Sequence, residues 1–228
     1  MTREEGLERF TDYSKVDRSD HYYLVYKPLI RDLNYSVKKY ATGRVLDIGC
    51  GNKPYERMFN TITTEYIGCD IVQSSQNKVD IICTAFQIPL PDSSFDTVFS
   101  TQVIEHVDNH QQLVNEAYRL LKPGGHFIVS GPMYWPLHEE PYDYFRFTKY
   151  GFKYILEKAK FSEIEILSNG GKWALMGQVI ILNAHPRIVK LKLFRYMINR
   201  IFSYLDKKYY NDFNTMNYVV VGKKRVDV

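Results

Sequence analysis

The sequence is poor in cysteine, has no long apolar run and shows little excess of either charge. Its three cysteines, Cys50, Cys69 and Cys83, have no CxxC spacing and no obvious pairing, which suits a reducing compartment rather than a disulfide framework. No window reaches the roughly 18 uninterrupted apolar residues that a membrane-spanning helix needs. The first 15 residues are charged from the third onward and lead into no apolar run, so they predict neither a secretory signal nor a transit peptide. We therefore expect a soluble cytoplasmic protein.

Length and charge limit the number of domains and the class of partner. A chain of 228 residues can bury one good core but is short for two domains. With 30 Lys and Arg against 26 Asp and Glu, the formal net charge is only +4. A charge this modest predicts no obligatory nucleic-acid partner. The chain is thus expected to form a single domain over residues 1–228.

Short apolar runs alternate with amphipathic segments along most of the chain. Runs that are apolar on both faces, as buried parallel strands are, occupy residues 44–48, 66–70, 80–83, 97–100 and 126–130. Helical patterns cover residues 19–40, 109–121 and 148–160, and further strand patterns cover residues 161–167 and 217–222. Pro28 is expected to bend or split the first helix, and residues 122–125 (Lys-Pro-Gly-Gly) to turn tightly into the next strand. Strands that alternate with helices predict a doubly wound α/β sheet.

Residues 169–215 are too many for an ordinary connection, so they predict an inserted helical element. Within them, residues 187–208 carry seven Lys and Arg against one acid, Asp206. The apolar residues predicted to share one face of this helix are Leu191, Phe194, Met197, Ile198, Ile201 and Leu205. A basic amphipathic helix is compatible with peripheral contact to an anionic membrane, a lid over a ligand site, a homodimer face, or plain packing with solvated lysines.

A glycine-rich turn follows the first strand pattern at Asp47-Ile48-Gly49-Cys50-Gly51. Two glycines there let the backbone approach a ligand closely at the carboxyl end of the sheet. Pro54 occupies the position of the third glycine in a dinucleotide-binding fingerprint, which disfavours a pyrophosphate, and Asp47 suits a cationic ligand better than a phosphate. About twenty residues on, Asp70 ends the second strand pattern and can accept hydrogen bonds from ribose hydroxyls.

Together with three further motifs, these features resemble the core of class I methyltransferases that use S-adenosylmethionine (SAM), in the branch often called type 11. The motifs follow in the family's order: an acidic turn at residues 89–96, Val-Ile-Glu-His-Val at 103–107, and Leu-Lys-Pro-Gly-Gly at 121–125. The resemblance covers residues 43–167 and implies a Rossmann-like doubly wound sheet of seven strands, the last antiparallel and supplied by residues 217–222. It divides the chain into an N-terminal helical cap (1–42), a SAM-binding core (43–168), the helical insertion (169–215) and the last strand with its tail (216–228).

The resemblance also implies which residues hold the cofactor. It places SAM against Asp47, Gly49, Cys50, Gly51, Asp70, Ile71, Thr84, Ala85, Phe86 and Gln102. The branch usually has an acidic residue near the adenine where this chain has Thr84. The Thr84 hydroxyl can still form a hydrogen bond, and Phe86 is expected to cover the adenine face.

Methyl transfer from a sulfonium is an in-line displacement, so the protein must align the acceptor and, for a hydroxyl acceptor, remove a proton. A first group of polar residues, Gln102, Glu105 and His106, follows the fourth strand pattern. In the similar family this stretch lies beside the methyl group. The alternative is that Glu105 and His106 only begin and cap a helix.

A denser group of polar and aromatic residues lies at 132–148, after the fifth strand pattern. Its His-Glu-x-Pro-x-Asp-Tyr-x-Arg-x-Thr stretch, from His138 to Thr148, is similar to one in bacterial type 11 enzymes linked to surface polysaccharide or secondary metabolism. His138 is the expected general base, with Glu139 or Asp143 to orient it and His106 as a further catalytic candidate.

The same segment supplies the expected acceptor contacts. Arg146 is expected to bind an anionic acceptor group or to pair with Asp143. Tyr134, Trp135 and Tyr142 are expected to form a wall that stacks on a sugar or aromatic ring. The alternative is a structural loop in which an Asp143–Arg146 bridge and a Thr148 cap hold the next helix.

No carboxylate cluster and no His or Cys spacing predicts a metal site. Three functions are compatible with these residues. The preferred one is O-methylation of a saccharide or glycoconjugate with His138 as base, and the second is methylation of a small aromatic or amine metabolite by alignment alone. The third is a non-catalytic SAM-fold module that binds a partner through residues 187–208. Because no RNA-binding motif or broad basic face is visible, a nucleic-acid acceptor is not expected.

Overall fold

The protein is described here by a computed structural model, which covers residues 16–226. Residues 1–15, in which the sequence predicts no secretory or transit signal, lie outside the described residues. They are also the first part of the predicted N-terminal cap.

Among residues 16–226, seven strands form one mixed sheet. They are β1 (Gly43–Ile48), β2 (Thr63–Asp70), β3 (Ile81–Ile82), β4 (Phe95–Thr101), β5 (Leu121–Pro132), β6 (Ser162–Asn169) and β7 (Asn217–Lys223). Their order across the sheet is β3-β2-β1-β4-β5-β7-β6, and β7 runs antiparallel to both neighbours. The predicted seven-stranded α/β sheet with an antiparallel last strand is confirmed.

The segment expected to form a tight turn before β5 lies inside that strand instead. β5 begins at Leu121, and its pairing with β4 shifts register between Phe95 and Thr97. Gly124 has a φ of +82°, and its N–H donates to the Lys224 carbonyl at 2.9 Å. Gly124 therefore lies at an irregularity in strand pairing rather than in a turn. Its hydrogen bond to Lys224, directly after β7, continues the pairing past the end of that strand.

Helices cover both faces of the sheet. α1 (Tyr23–Tyr40) lies on one face, and α2 (His110–Leu120) and α3 (Lys149–Lys158) lie on the other. Alternate residues of one strand supply the two cores: Leu46 packs in the core with α2 and α3, whereas Val45 packs in the core with α1. A sheet buried on both faces explains why its central strands read as continuous apolar runs.

α1 begins later than its sequence pattern predicted. The residues before Tyr23 form turns, in which the Ser19 N–H donates to Asp17 Oδ1 at 2.5 Å and the Asp17 N–H to Asp20 Oδ2 at 2.7 Å. Pro28 lies inside the helix and does not split it. The helix continues past the proline with buried Leu29 and Leu33, so packing on the sheet outweighs the lost backbone hydrogen bond.

The predicted insertion is helical and consists of α4 (Lys172–Asn183), the short α5 (Pro186–Val189) and α6 (Lys192–Lys208). Asp206 near the end of α6 accepts hydrogen bonds from the backbone N–H groups of Gly171 and Ala174, at 3.0–3.1 Å, and so caps the start of α4. Gly177 lets the two helices approach closely, since a Cβ there would lie 2.6 Å from Phe202. No helix among residues 16–226 is both long and apolar enough to cross a membrane.

The single apolar face predicted for the basic helix is split in the structure. Ile198 and Phe202 pack against the core beneath α6, whereas Met197 and Ile201 are exposed. The prediction was wrong on this point because the side of α6 that packs is partly polar: buried Asn199 donates to the carbonyls of Arg18 and Asp20, at 2.9 Å each. The exposed side, called here the outer face of α6, consists of Leu193, Met197, Arg200, Ile201, Tyr204, Lys207 and Lys208.

Candidate active site

Two cavities open where β1, β2 and β4 end, at the edge of the sheet where α/β folds bind ligands. The first cavity is lined by residues that follow β1, β4 and β5, together with residues of α1. The second is lined by residues that follow β2, β3 and β4. Gly49 and His106 line both cavities and so stand between them.

Every residue predicted to hold the cofactor lines one of these cavities. Asp47, Gly49, Cys50, Gly51 and Gln102 line the first. Gly49 again, with Asp70, Ile71, Thr84, Ala85 and Phe86, lines the second. The fold thus brings residues from four separate stretches of chain to two adjoining cavities.

The glycine turn is shaped by hydrogen bonds to β2 and its end. Gly49 has a φ of +75°, and a Cβ there would lie 2.3 Å from Val103, so no other residue fits without rearrangement. The Asp70 carboxylate accepts from the Gly51 N–H at 3.0 Å and from the Ile71 N–H at 2.7 Å. Asp70 therefore joins the turn after β1 to the turn after β2, while its remaining lone pairs stay available in the second cavity.

Asp47 is a buried acid in the wall of the first cavity. Its side chain accepts a hydrogen bond from the Tyr66 hydroxyl at 2.7 Å, and the residue is 2% exposed. Burial raises the pKa of this carboxyl to about 7, and the nearby Asp70 carboxylate adds to the shift. A cationic ligand in the cavity would favour the ionised form.

A buried hydroxyl stands where the similar family has an acid. Thr84 lines the second cavity, and its Oγ1 has no hydrogen-bond partner within residues 16–226. Buried hydroxyls are normally hydrogen-bonded, so this one points to a polar ligand group. Phe86 is half-buried in the same cavity.

Glu105 and His106 do not begin a helix. They lie in a short 3-10 turn (Ile104–His106), and α2 starts later with Asn109 as its cap, whose side chain accepts from the Gln112 N–H at 3.2 Å. Glu105 is 1% exposed, and neither of its carboxylate oxygens has a hydrogen-bond partner in the described part of the chain. Burial raises its pKa to about 8. A buried carboxyl without a partner is unusual in a structural turn, so Glu105 is a candidate functional group.

His106 and His138 meet Glu105 in the first cavity. One nitrogen or carboxylate oxygen from each residue lies within 4.8 Å of the others, and the two imidazole rings are 4.7 Å apart in an edge-on contact. His106 Nδ1 bonds the Tyr142 carbonyl at 2.9 Å, and burial lowers the pKa of this imidazole. Glu139, whose φ is +53°, brings a carboxylate oxygen to 3.9 Å from His106 Nε2.

Asp143 and Arg146 support His138 from outside the cavity. Asp143 accepts from the His138 backbone N–H at 3.0 Å and from His138 Nδ1 at 3.2 Å. Arg146 donates to both carboxylate oxygens of Asp143, at 2.6 and 2.7 Å. Burial raises the pKa of Asp143, but these hydrogen bonds more than offset it and leave the pKa at about 2. An ionised Asp143 accepts only, so it fixes the tautomer of His138 with the hydrogen on Nδ1.

Every N–H group of the Arg146 side chain is hydrogen-bonded within the protein, so none is left to bind the methyl acceptor. Its other donors bond the backbone carbonyls of Trp135, Pro136 and Phe145, at 2.8–3.1 Å. The remaining predicted contact residues separate: Trp135 lines the first cavity, Tyr142 lines the second, and Tyr134 lines neither.

Several wall residues of the first cavity had no functional signal in the sequence. Tyr22 directly precedes α1 and Tyr26 lies in its first turn, and Tyr22 meets Trp135 edge-on at 5.8 Å. Asn217, at the start of β7, is 3% exposed, and its side-chain nitrogen lacks a hydrogen-bond partner among the described residues. The helical pattern predicted where α1 lies, but not that its first turns face the site.

Comparison with known proteins identifies the fold and its cofactor. Residues 46–129 match the family model described as a methyltransferase domain. A probable S-adenosylmethionine-dependent methyltransferase of Mycolicibacterium smegmatis is 38% identical over 96 residues, which cover 39% of this chain and 37% of that protein. Residues 46–129 therefore match a methyltransferase domain, and the sheet around them has the fold of a solved SAM-dependent methyltransferase.

Other relatives of this methyltransferase domain differ in the acceptors that their names state. The 27-O-demethylrifamycin SV methyltransferase of Amycolatopsis mediterranei is 31% identical over 105 residues, 40% of this chain and 39% of that protein. The mouse tRNA (carboxymethyluridine(34)-5-O)-methyltransferase ALKBH8 is 33% identical over 108 residues, 42% of this chain and 15% of that protein. The matched segments thus span less than half of each relative.

Solved structures share the fold over nearly the whole domain. A SAM-dependent methyltransferase from Archaeoglobus fulgidus aligns with a TM-score of 0.57 at 20% identity, covering 89% of this chain and all of that one. This likeness extends beyond the matched family segment to the strands and helices on either side of it.

The residues present fit SAM. The unpartnered Thr84 hydroxyl and the carboxylate of Asp70 offer polar groups in the second cavity for a nucleoside. The buried Asp47 offers a negative charge in the first cavity for a cationic group. A cofactor with a nucleoside at one end and a cationic amino-acid portion at the other matches this division.

Proposed function

We propose that the chain transfers the methyl group of SAM to a hydroxyl of a saccharide or glycoconjugate. The observation that carries the proposal is the position of His138: it lines the first cavity, with Nδ1 committed to Asp143 and Nε2 left as the proton acceptor. When bound, SAM supplies an electrophilic methyl group on a sulfonium.

His138 removes the proton that makes a hydroxyl a poor nucleophile. The hydroxyl oxygen forms a bond to the methyl carbon as the carbon–sulfur bond breaks with its electron pair going to sulfur, and the hydroxyl proton passes to His138 Nε2. The ionised Asp143 stabilises the imidazolium that results. Arg146 is a positioning residue, since it touches Asp143 and not the cavity.

The walls of the first cavity suit a polyhydroxylated ring. Gln102, Glu105 and Asn217 offer side-chain oxygens and nitrogens, and the side-chain nitrogen of buried Asn217 has no hydrogen-bond partner among the described residues. Tyr22 and Trp135, which meet edge-on, add aromatic surface to the same cavity. Aromatic faces stack on sugar rings while polar groups bind their hydroxyls.

An amine or small aromatic metabolite is the second candidate acceptor. The same aromatic rings, with carboxyl groups of Glu105 and Glu139 in one cavity, also suit a cationic amine. An amine needs alignment more than a base, so the two candidates differ in their dependence on His138. We propose that nucleic acid is not the acceptor, although several relatives are named for tRNA.

Fractionation of labelled product tests the acceptor. Purified protein is incubated with methyl-labelled SAM and an extract of the source cells, and label is counted in the lipid, polysaccharide, small-molecule, protein and nucleic-acid fractions. Label in the polysaccharide or lipid-linked fraction supports the proposal. Label confined to nucleic acid or protein would overturn it. Asp70→Ala, which removes a proposed cofactor contact, is the control, because label that persists with this variant is not transferred by the domain.

The variant His138→Ala tests the base. We expect methyl transfer to fall by about 100-fold or more, because general-base catalysis contributes roughly that much. SAM affinity should change much less than the rate, since His138 is not among the residues expected to contact SAM, although it lines the same cavity as Asp47. His185→Ala is the matched control, because His185 is an exposed helix cap that lines neither cavity. An unchanged rate in His138→Ala would favour the amine candidate.

We further propose that the outer face of α6 contacts an anionic membrane surface. Exposed Leu193, Met197 and Tyr204 lie on one side of the helix together with exposed Arg200 and Lys208. Basic and apolar side chains on one face are the pattern of helices that lie at a membrane interface. A homodimer through this face is the alternative, and α6 lines neither cavity.

A further inference from the structure

We propose that Glu105, His106 and His138 bind a divalent transition-metal cation in the acceptor cavity. The three residues come from two loops, after β4 and after β5, and one ligand atom of each lies within 4.8 Å of the others. The spacing of these residues along the chain does not indicate a cluster, which is why the sequence predicted no metal site. The proposal rests on geometry that only the fold creates.

Both imidazoles present a lone pair to the cluster. His106 Nδ1 bonds the Tyr142 carbonyl, and a carbonyl only accepts, so Nδ1 carries the hydrogen. His138 Nδ1 bonds the Asp143 carboxylate, which Arg146 keeps ionised, so Nδ1 again carries the hydrogen. In each ring Nε2 is therefore the atom with a free lone pair. Metal-binding histidines are held in this way, with the other nitrogen donating to a carbonyl or a carboxylate.

Glu105 is the carboxylate ligand of the proposed site. Its side chain is 1% exposed, and neither carboxylate oxygen has a hydrogen-bond partner within residues 16–226. Its Oε1 lies 4.0 Å from His106 Nε2. A cation between the three side chains would be bound by the Glu105 carboxylate and by one imidazole nitrogen of each histidine.

The ligand types select the class of cation. Two imidazole nitrogens and one carboxylate suit Zn²⁺, Mn²⁺, Fe²⁺ or Co²⁺, whereas Ca²⁺ and Mg²⁺ prefer oxygen ligands alone. Three protein ligands leave coordination positions open, as catalytic sites do. Glu139, 3.9 Å from His106 Nε2, is close enough to supply a fourth ligand after a small movement.

A cation here would change how the acceptor is activated. Bound to the acceptor hydroxyl, it would lower the pKa of that hydroxyl, and the proton would pass to solvent. His138 Nε2 is then a ligand in the metal-bound protein and a base only in the metal-free protein. This consequence rests on the proposed function, but cation binding itself does not.

Metal binding by variants tests the inference without SAM or acceptor. The full-length protein is freed of metal by dialysis against a chelator. Zn²⁺ affinity is then measured by competition with a chromophoric chelator, and Co²⁺ binding by its visible absorption. We expect one equivalent per chain, binding weakened by more than about 100-fold in Glu105→Gln and His138→Ala, and by about 10–100-fold in Asp143→Asn, which orients His138.

Matched controls separate ligand loss from misfolding. Glu140→Gln, at an exposed acid next to the loop ligands, and His185→Ala should bind Zn²⁺ as the wild type does. Thermal unfolding checks that each variant folds, and Zn²⁺ should raise the melting temperature of the wild type but not of Glu105→Gln.

Two results would overturn the inference: no stoichiometric binding to the wild type, or equal affinity in the wild type, Glu105→Gln and His138→Ala. Since neither cofactor nor acceptor is present, a failure of methyl transfer leaves this test unaffected. Conversely, labelled product from a protein that binds no cation would overturn this inference alone.

Discussion

A carboxyl group inside an apolar strand is costly to ionise, and Asp47 is such a group. The Tyr66 hydroxyl is its hydrogen-bond donor at 2.7 Å, and burial holds its pKa at about 7. A fixed cation in the first cavity would compensate for this cost, so the charge state of Asp47 is linked to cofactor binding. The pH dependence of SAM binding is therefore expected to originate in one residue, Asp47.

SAM affinity should depend on pH through Asp47. Below about pH 7 the free protein holds Asp47 protonated, and cation binding must displace that proton. Affinity should therefore rise by up to about tenfold per pH unit toward the pKa and level off above it. Calorimetry in buffers of different ionisation enthalpy measures both the affinity and the released proton.

Asp47→Asn should flatten this profile and weaken SAM binding at about pH 8, where the wild-type carboxylate is ionised. Asp92→Asn, at an exposed acid that lines neither cavity, should keep the wild-type profile. A wild-type profile without pH dependence would contradict the role given to Asp47.

The positions of some site residues follow from local geometry. Gly49 and Asp70 could be placed at one edge of the sheet, because a turn after a buried strand and an acid at the next strand end have a fixed relation in this fold. Their part in cofactor binding stays a prediction. Glu105 with His138 was not predictable as a metal-binding cluster, because two loops approach only after β4 and β5 pair. Arg146 was predicted with two roles, and all its N–H groups bond to the protein.

At the scale of elements, the loop between β5 and α3 is held by a nearly buried ion pair. The Asp143 side chain is 1% exposed and that of Arg146 is 25% exposed. Arg146 joins Asp143 to three backbone carbonyls of the same loop, so one side chain organises the segment that carries His138 and Glu139.

Arg146→Met should destabilise the protein by about 3 kcal/mol, because it leaves the Asp143 carboxylate buried without its main partner. The free energy of unfolding is measured by urea denaturation. Lys153→Met is the matched control: it breaks an exposed pair with Glu157, 3.8 Å long, and should cost less than about 0.5 kcal/mol. Equal losses in the two variants would show that the Asp143–Arg146 pair does not organise the loop.

The strands and helices lie close to their predicted positions where the pattern of apolar residues agrees with the packing. The strands and the helices of the core carry apolar residues with clear periods, and their centres were predicted. The packed side of α6 was mistaken because Asn199 and Asp206 pack there through hydrogen bonds that apolar periodicity does not register. Polar side chains buried for capping and docking are invisible to a pattern of apolar residues.

At the scale of the whole molecule, cofactor site and basic helix occupy different regions. The cavities are lined by the loops after the strands and by the start of α1, while α6 lines neither cavity. The outer face of α6 therefore has its apolar side chains exposed without any part in the described site. Exposed apolar and basic residues on one helix fit the proposed contact with a membrane surface outside the domain.

The protein should bind vesicles that contain an anionic phospholipid and not neutral ones. Attraction of the outer face of α6 to the lipid charge should weaken as salt rises, because the Debye length falls to about 10 Å at 0.1 M. Lys207→Glu combined with Lys208→Glu should weaken co-sedimentation by at least about tenfold, since each basic residue near such a surface contributes about 1 kcal/mol. Lys153→Glu with Lys158→Glu on α3 is the matched charge control. Leu193→Ser with Met197→Ser should also release the protein from vesicles. If instead the wild type ignores anionic vesicles and sedimentation velocity shows a dimer that this serine variant dissociates, the outer face of α6 is a homodimer interface.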